Sequence, residues 1–221
     1  MTDAEFLPPE GDPHREAKSS TLEALRMFFK HMKRRVYVGM DLTVYYPGQP
    51  RFAPDVLAVF DVDPGPRDKW VVSAEGKGLD FALEVLVSGS RRKDLEDNVR
   101  FYAALGIPEY FVYDRGRRRL SGFQLAAGGA RAYEPLVPQH GHFVSNVLGL
   151  NLVIEEERLR FYAGNAPLLD AAELIARLEV FSETMAQRAE EEARRAEEEA
   201  RRAETLAQRV RQLEEELQRK R

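Results

Sequence analysis

The sequence contains no cysteine, and this absence excludes disulfide bonds, thiolate metal sites and cysteine nucleophiles. It also fits a reducing compartment, so we expect a cytoplasmic protein. No apolar run approaches the roughly 20 residues that a membrane helix needs. The acidic, polar start of the chain differs from the basic and then apolar start of a secretory signal. We therefore expect no membrane partner.

Several catalytic signatures are missing as well. The sequence has no glycine-rich phosphate loop, no pair of histidines at i and i+4, and no nucleophile elbow. Among its 4 histidines, His140 and His142 flank a single glycine. These two residues form either a metal-binding pair or a polar turn, and we favour the turn.

Charge of either sign is not in large excess. The chain has 33 basic and 37 acidic residues, for a net charge of −4. This balance argues against a protein that coats nucleic acid by bulk charge, but a local basic face remains compatible with it. The basic residues cluster at Lys30 with Lys33–Arg35, at Arg91–Lys93, and at Arg115 with Arg117–Arg119. Each cluster is either a nucleic-acid contact or ordinary solvated charge.

Proline, glycine and apolar periodicity predict three segments. Residues 1–14 contain three prolines and a glycine and are predicted to be an extended arm. Residues 15–168 are predicted to form one α/β (α+β) domain, and residues 169–221 one charged helix. The predicted helices of the domain are 15–33 and 91–105, and its predicted strands are 36–46, 55–61, 80–87, 109–114, 119–126, 144–153 and 158–162. Since a strand, a helix and a strand follow one another over 80–114, we expect a parallel pair within a mixed sheet.

The C-terminal segment contains a seven-residue repeat. The sequence Arg-Ala-Glu-Glu-Glu-Ala-Arg occurs twice within residues 188–202, and apolar positions three and four apart continue to Leu217. This spacing predicts a coiled coil, and hence a homodimer or higher oligomer. The alternative is a free-standing helix, because Glu and Arg at i and i+4 also stabilise an isolated helix.

Two acidic residues stand out in the domain. Asp55 begins a predicted strand, and Glu84 lies within the otherwise apolar strand 80–87. A buried carboxylate costs several kcal/mol unless it is paired, hydrogen-bonded or bound to a cation. If the two strands are neighbours, Asp55 and Glu84 converge and can hold Mg²⁺ or Mn²⁺. Such a cation would activate a water molecule for attack on a phosphodiester. The alternative is a salt bridge between Glu84 and an arginine.

Four blocks of the sequence resemble the Uma-two (Uma2) family of restriction endonucleases, which belongs to the PD-(D/E)XK nuclease superfamily. The blocks are Pro54-Asp55-Val56, residues 75–85 with Glu84, residues 90–95, and residues 102–114. The resemblance implies a restriction-endonuclease-like mixed sheet flanked by helices and metal-dependent hydrolysis of DNA. It further implies that Asp55 and Glu84 are catalytic metal ligands and that the carbonyl of Leu86 is a further ligand.

The sequence departs from this family at the catalytic lysine. The positions that match it are Leu86 in the simplest form of the motif and Ser88, Asp97 or Asn98 in this family. Lys93 is the candidate substitute, and its alternative role is plain surface charge; Lys77 is a weaker candidate. A lysine in this chemistry orients water and offsets negative charge. We therefore keep two functions open: a Mg²⁺-dependent DNA endonuclease acting as a dimer, and a catalytically impaired nuclease fold that binds DNA or a partner.

Overall fold

The computed structural model describes residues 11–86, 92–126 and 131–219. The chain divides into two compact units, one up to Ala171 and one from Ala172 onward. The first unit contains the sheets and the shorter helices, and the second consists of one long helix. The elements in chain order are α1 (Asp12–His31), β1 (Val36–Met40), β2 (Val44–Tyr45), β3 (Val56–Phe60), β4 (Trp70–Val71), α2 (Val72–Glu75), β5 (Phe81–Leu86), α3 (Asn98–Leu105), β6 (Glu109–Asp114), β7 (Arg119–Leu125), β8 (Tyr133–Pro135), β9 (Phe143–Ser145), β10 (Leu150–Glu155), β11 (Arg158–Ala163), β12 (Ala166–Pro167) and α4 (Ala171–Arg219).

The main sheet is mixed, as the sequence predicts. Its strand order is β1-β3-β5-β6-β7-β8. Strands β5 and β6 pair in parallel, with α3 in the connection between them, and the other neighbours are antiparallel. Every residue of β3, β5 and β6 is buried. These three strands therefore form the centre of the domain, where apolar runs are expected.

Each face of the main sheet carries its own apolar core. One core packs α1, through Leu25 and Phe29, and residues of β10 and β11 against the sheet. The other core contains Trp70, Tyr102 and Tyr110, with Tyr102 contributed by α3. The central strands thus lie between two layers, and a polar side chain within them is removed from water unless it reaches a strand end.

Several predicted boundaries differ from the structure, among them the predicted helix 91–105, in which Lys93–Asp97 form a π-helical turn before α3. The predicted strand 36–46 is interrupted at Asp41, whose φ of 51° places it in the left-handed region that Asp tolerates. The predicted strand 144–153 is split into β9 and β10 by a turn in which the amide of Gly149 donates to the carbonyl of Ser145 at 2.9 Å. Helix α1 begins at Asp12 rather than Arg15, because proline is tolerated in a first helical turn. Of the predicted arm, residues 1–10 lie outside the described part of the chain.

The second unit is the long C-terminal helix that the sequence predicts. Helix α4 spans Ala171–Arg219 and buries none of its side chains. Large apolar side chains are nevertheless exposed near its C-terminal end, at Leu206, Val210, Leu213 and Leu217. Among the described residues, no helix combines the length and the apolar character needed to cross a membrane.

Candidate metal-binding site at the edge of β3 and β5

Strand pairing brings Asp55 and Glu84 together. Strands β3 and β5 run antiparallel with Val56 opposite Leu83. Asp55 comes just before Val56 and Glu84 just after Leu83, so the two acids are cross-strand neighbours at one end of the pair. A direct contact fixes the arrangement, because the amide of Val85 donates to Oδ2 of Asp55 at 2.6 Å.

The Asp55 carboxylate is also contacted from α1. Nε2 of His14 lies 3.3 Å from Oδ2 of Asp55, and Nζ of Lys18 lies 3.6 Å from Oδ1. Residues at i and i+4 share one face of a helix, so α1 presents both side chains to the same carboxylate. Neither contact was predicted from the sequence.

Lys18 is a buried lysine. Its relative accessibility is 0%, and its Nζ donates to both carboxylate oxygens of Asp41 at 2.8 and 2.9 Å. A buried ammonium is costly unless it is paired, and here acids lie on two sides of it. The available signal was the helical pattern, since Lys18 falls on the buried face of α1 that includes Leu25 and Phe29.

Glu84 is held in a largely apolar setting. Its relative accessibility is 4%, and the hydroxyl of Tyr102 donates to its Oε1 at 2.8 Å. Burial, reinforced by the negative charge of Asp55, raises the pKa of Glu84 from its ordinary value of 4.5 to about 8. A salt bridge to arginine was the alternative for Glu84, and among the described residues no arginine pairs with it. Its environment instead favours the protonated acid unless a cation is close.

A third acid, Asp94, lies near Asp55 and Glu84, and we call these three residues the acid cluster. Asp94 lies in a π-helical turn, Lys93–Asp97, that precedes α3, and such turns occur frequently at functional sites. Burial raises the pKa of Asp94, and the charge of Asp55 raises it further. Asp94 was not among the site residues predicted from the sequence. An acid within one of the blocks that resemble the nuclease family was the signal available.

Asn98 is the lysine-matching position that faces the acids. Its Nδ2 donates to Oδ1 of Asp94 at 3.1 Å and lies 3.5 Å from Oε1 of Glu84. Asp97, the position before it, is exposed, and Ser88 lies outside the described residues. A side-chain amide therefore stands where the resemblance implies a lysine.

Lys93 lies beside Asp94 at the surface, whereas the carbonyl of Leu86 is hydrogen-bonded within the sheet. Nζ of Lys93 lies 3.8 Å from Oδ1 of Asp94, and the side chain is 64% exposed. Its positive charge lowers the pKa of both Glu84 and Asp94. The carbonyl of Leu86 accepts a hydrogen bond from the amide of Arg115 at 2.9 Å. That bond uses one of the two lone pairs of the carbonyl oxygen, and Leu86 as a further metal ligand stays a prediction.

The donor set fits a hard divalent cation in chemical type. In the described part of the chain, no group of three or more His, Cys, Asp or Glu side chains is arranged to hold a metal ion by itself. Mg²⁺ seldom needs such a cage, because it is usually held by one or two carboxylates and keeps several waters or substrate oxygens. Asp55 and Glu84 supply oxygen donors only, and a cation between them would offset the repulsion that raises the pKa of Glu84.

Two other predicted candidates lie in different surroundings. His140 and Gly141 form a tight turn closed by hydrogen bonds in both directions between Gln139 and His142, at 2.8 and 2.9 Å, which is the polar turn that the sequence favours. Lys77 donates to the carbonyl of Phe60 at 2.7 Å, at the end of β3 opposite to Asp55. It is therefore not part of the acid cluster.

The chain matches one known protein family and, more distantly, a solved structure. The sequence profile of the family described as "Uma2: Putative restriction endonuclease" matches residues 3–155. A crystal structure from Anabaena variabilis, described as a "putative nuclease belonging to DUF820", aligns with a TM-score of 0.46 and 12% identity over 62% of this chain and 79% of that chain. No curated protein matches.

Proposed function

The chain belongs to the Uma2 family of restriction-endonuclease-like proteins, and from that premise we propose that it is a metal-dependent endonuclease that hydrolyses DNA phosphodiester bonds. The observation that carries the proposal is the pairing of Asp55 with the buried Glu84 at one end of the central strands. Buried acids with raised pKa values are frequent at catalytic sites.

In this proposal each side chain has a defined task. Asp55 and Glu84 are the protein ligands of Mg²⁺ or Mn²⁺, and Tyr102 fixes the direction of the Glu84 carboxylate through its hydroxyl. When bound, the cation supplies a Lewis acid that activates water and offsets charge on the phosphate. Asp94 adds negative charge near the pair, and the exposed Lys93 supplies a partly compensating positive charge beside Asp94.

The proposed substrate is DNA bound through its phosphates. The net charge of −4 leaves only local basic surface for this contact, and exposed Arg92 and Lys93 lie at the turn that carries Asp94. Binding through several phosphate contacts weakens steeply as salt rises. We therefore expect duplex affinity to fall with salt and to depend on Arg92. A cytoplasmic location, suggested by the absence of cysteine, stays a prediction.

We also propose that α4 pairs two copies of the chain. Its exposed apolar residues Leu206, Val210, Leu213 and Leu217 alternate four and three apart, which is the spacing of a coiled-coil seam. A dimer would bring two sites to the two strands of one duplex. The N-terminal part of the repeat presents only alanine on the seam, so we expect the C-terminal leucines to supply most of the association.

The direct test is cleavage of supercoiled plasmid with Mg²⁺ or Mn²⁺ by wild type, Asp55→Asn and Glu84→Gln, all purified identically. These replacements keep the size of each side chain but remove its carboxylate. We expect metal-dependent nicking by wild type and a loss of at least about 100-fold in each variant, as for other groups that stabilise a transition state. Nicking that survives both changes would overturn the assignment of the site.

A second function is supported by Asn98. Since an amide replaces the lysine that the resemblance implies, the chain is alternatively a nuclease fold that binds DNA or a protein partner without cutting. Metal binding does not separate the two functions, because the acids remain in both. Absence of cleavage by wild type with either metal at low salt would favour this alternative, and salt-sensitive DNA binding would then identify DNA rather than a protein as the ligand.

A further inference from the structure

A lysine does reach the acid cluster, but from the N-terminal helix. Nζ of Lys18 lies 3.6 Å from Oδ1 of Asp55, although the two residues are far apart in sequence. Among the residues that the structure describes, Lys18 is the lysine that pairs with either proposed ligand. Its side chain is 1% exposed, so the position of its charge is fixed by the fold.

The ammonium of Lys18 lies between two acids: it donates to Asp41 at 2.8 and 2.9 Å and lies 3.6 Å from Asp55. Lys18 lies one helical turn after His14, whose Nε2 contacts the other oxygen of the Asp55 carboxylate at 3.3 Å. The turn after β1 places Asp41 on the far side of the ammonium, and the amide of Asp41 also donates to the carbonyl of Asp55 at 3.2 Å. Lys18 is thus held between Asp41, at the surface, and Asp55, in the site.

We propose that Lys18 is the lysine of this site, delivered by α1 instead of by the segment after Glu84. It acts through its charge: it places a fixed positive charge beside the metal ligand Asp55, whose carboxylate stays oriented by the amide of Val85 and by His14. The inference rests on the proposed function, because it assumes that Asp55 is a metal ligand. It removes the main objection to that function, which is the amide at Asn98.

This position has an electrostatic consequence. A cation bound to Asp55 would lie within a few ångströms of the Lys18 ammonium, and like charges at that distance repel. Lys18 therefore weakens metal binding while it favours the reaction. A lysine that only stabilises the fold would have the opposite signature, because its removal would disorder Asp55 and weaken metal binding together with activity.

The test measures Mn²⁺ affinity by calorimetry and plasmid nicking for wild type and Lys18→Met. We expect Mn²⁺ to bind about tenfold more tightly to Lys18→Met, while nicking at saturating Mn²⁺ falls about 100-fold. Adding Asn98→Lys to Lys18→Met should restore nicking at least about tenfold, since it returns an ammonium to the site from α3, beside Glu84 and Asp94. A purely structural loss would not be rescued from another helix.

Two variants control for folding and for total charge. Lys18→Met with Asp41→Asn has the net charge of wild type and leaves no unpaired acid at the surface, so it keeps the test valid if the single variant unfolds. Asp41→Asn alone removes the outer partner of Lys18 but leaves the lysine beside Asp55. Because asparagine tolerates the positive φ of this position, we expect it to nick DNA within about threefold of wild type.

The outcomes separate this inference from the proposed function. If wild type nicks DNA and Lys18→Met nicks equally well, Lys18 is not the lysine of the site although the function stands. If wild type does not nick but Lys18→Met tightens Mn²⁺ binding, the endonuclease proposal fails and the placement of Lys18 beside a bound cation stands. Unchanged or weaker Mn²⁺ binding in Lys18→Met, or no binding by either protein, overturns the inference.

Discussion

The hydroxyl of Tyr102 donates to Oε1 of Glu84 across 2.8 Å, and both side chains are almost completely buried. This bond lowers the pKa of Glu84, whereas burial and the charge of Asp55 raise it, and the balance lies at about 8. The ionisation of Glu84 is therefore set by its burial first and by the neighbouring residues of the site second. Two measurable consequences follow for metal binding and for stability.

Tyr102→Phe should weaken metal binding at neutral pH. Loss of the hydroxyl removes a hydrogen bond that favours the carboxylate, so the pKa of Glu84 rises further. A larger fraction of the protein then carries a protonated Glu84, which must release its proton before metal binds. We expect Mn²⁺ affinity at pH 7 to fall severalfold and its pH midpoint to move upward, as measured by calorimetry from pH 6 to 9. Tyr133→Phe is the control, because its hydroxyl donates to the carbonyl of Ile107. A parallel shift in both variants would contradict the role of Tyr102.

Glu84→Gln should change how stability depends on pH. The pKa of Glu84 is about 8 in the folded protein against an ordinary value of 4.5, so the folded state binds the proton more tightly than the unfolded chain. Its contribution is fully present below pH 4.5 and is lost as the pH rises to 8, at about 1.4 kcal/mol per pH unit. Glutamine does not titrate, so its contribution to stability does not change with pH. The free energy of unfolding of Glu84→Gln, relative to that of wild type, should therefore increase from pH 5 to pH 9.

Urea unfolding in EDTA at pH 5, 7 and 9 measures this difference. Glu96→Gln, an exposed acid in the same turn, is the matched control and should follow wild type at each pH. A constant difference between Glu84→Gln and wild type across the three pH values would show that Glu84 is ionised throughout.

The central sheet was predictable because its strands bury nearly every side chain. The apolar runs around Glu84 and over Glu109–Asp114 predict buried strands, and the helix between them predicts the parallel pair. Asp55 and Glu84 were singled out for the same reason, since acids are exceptional in such segments. Whether they bind metal is still a prediction.

The other contacts of the site join distant parts of the chain, which local periodicity does not report. Lys18 has the spacing of a core residue on α1, but its partner Asp55 lies beyond two strands. Asp94 and Asn98 face the cluster because a π-helical turn precedes α3, and the periodicity predicted a regular helix there. The turn at Asp41 was missed because β-branched residues continue on both sides of it.

Asn98→Lys in the otherwise wild-type chain should increase cleavage. The amide of Asn98 already contacts Asp94 and lies 3.5 Å from Glu84, so an ammonium at this position would favour the carboxylate form of Glu84 and offset charge on the phosphate. We expect a rise of about tenfold in plasmid nicking at pH 7, smaller if Lys18 already supplies the charge. Ala104→Lys adds the same charge at an exposed position of α3 and should leave the rate unchanged. A binding protein without chemistry would gain no activity from either change.

Leu213→Glu should dissociate the pair formed by α4. Leu213 is 44% exposed in the single chain, and burying a leucine against a second copy contributes about 1.5–3 kcal/mol, which a carboxylate forfeits in each of the two chains. Glutamate is also a good helix former, so α4 should stay helical by circular dichroism. Light scattering should give a dimer or higher oligomer for wild type and a monomer for the variant at the same concentration. Gln212→Glu adds the same charge beside the apolar stripe and should keep the wild-type mass.

The same two variants connect assembly to the proposed reaction. If two sites act on the two strands of a duplex, wild type and Gln212→Glu should convert supercoiled plasmid to the linear form, whereas Leu213→Glu should accumulate the nicked circle. The comparison uses the ratio of linear to nicked product, so it does not depend on the absolute rate. A monomeric wild type, or equal ratios in all three proteins, would contradict the proposal that α4 brings two sites together.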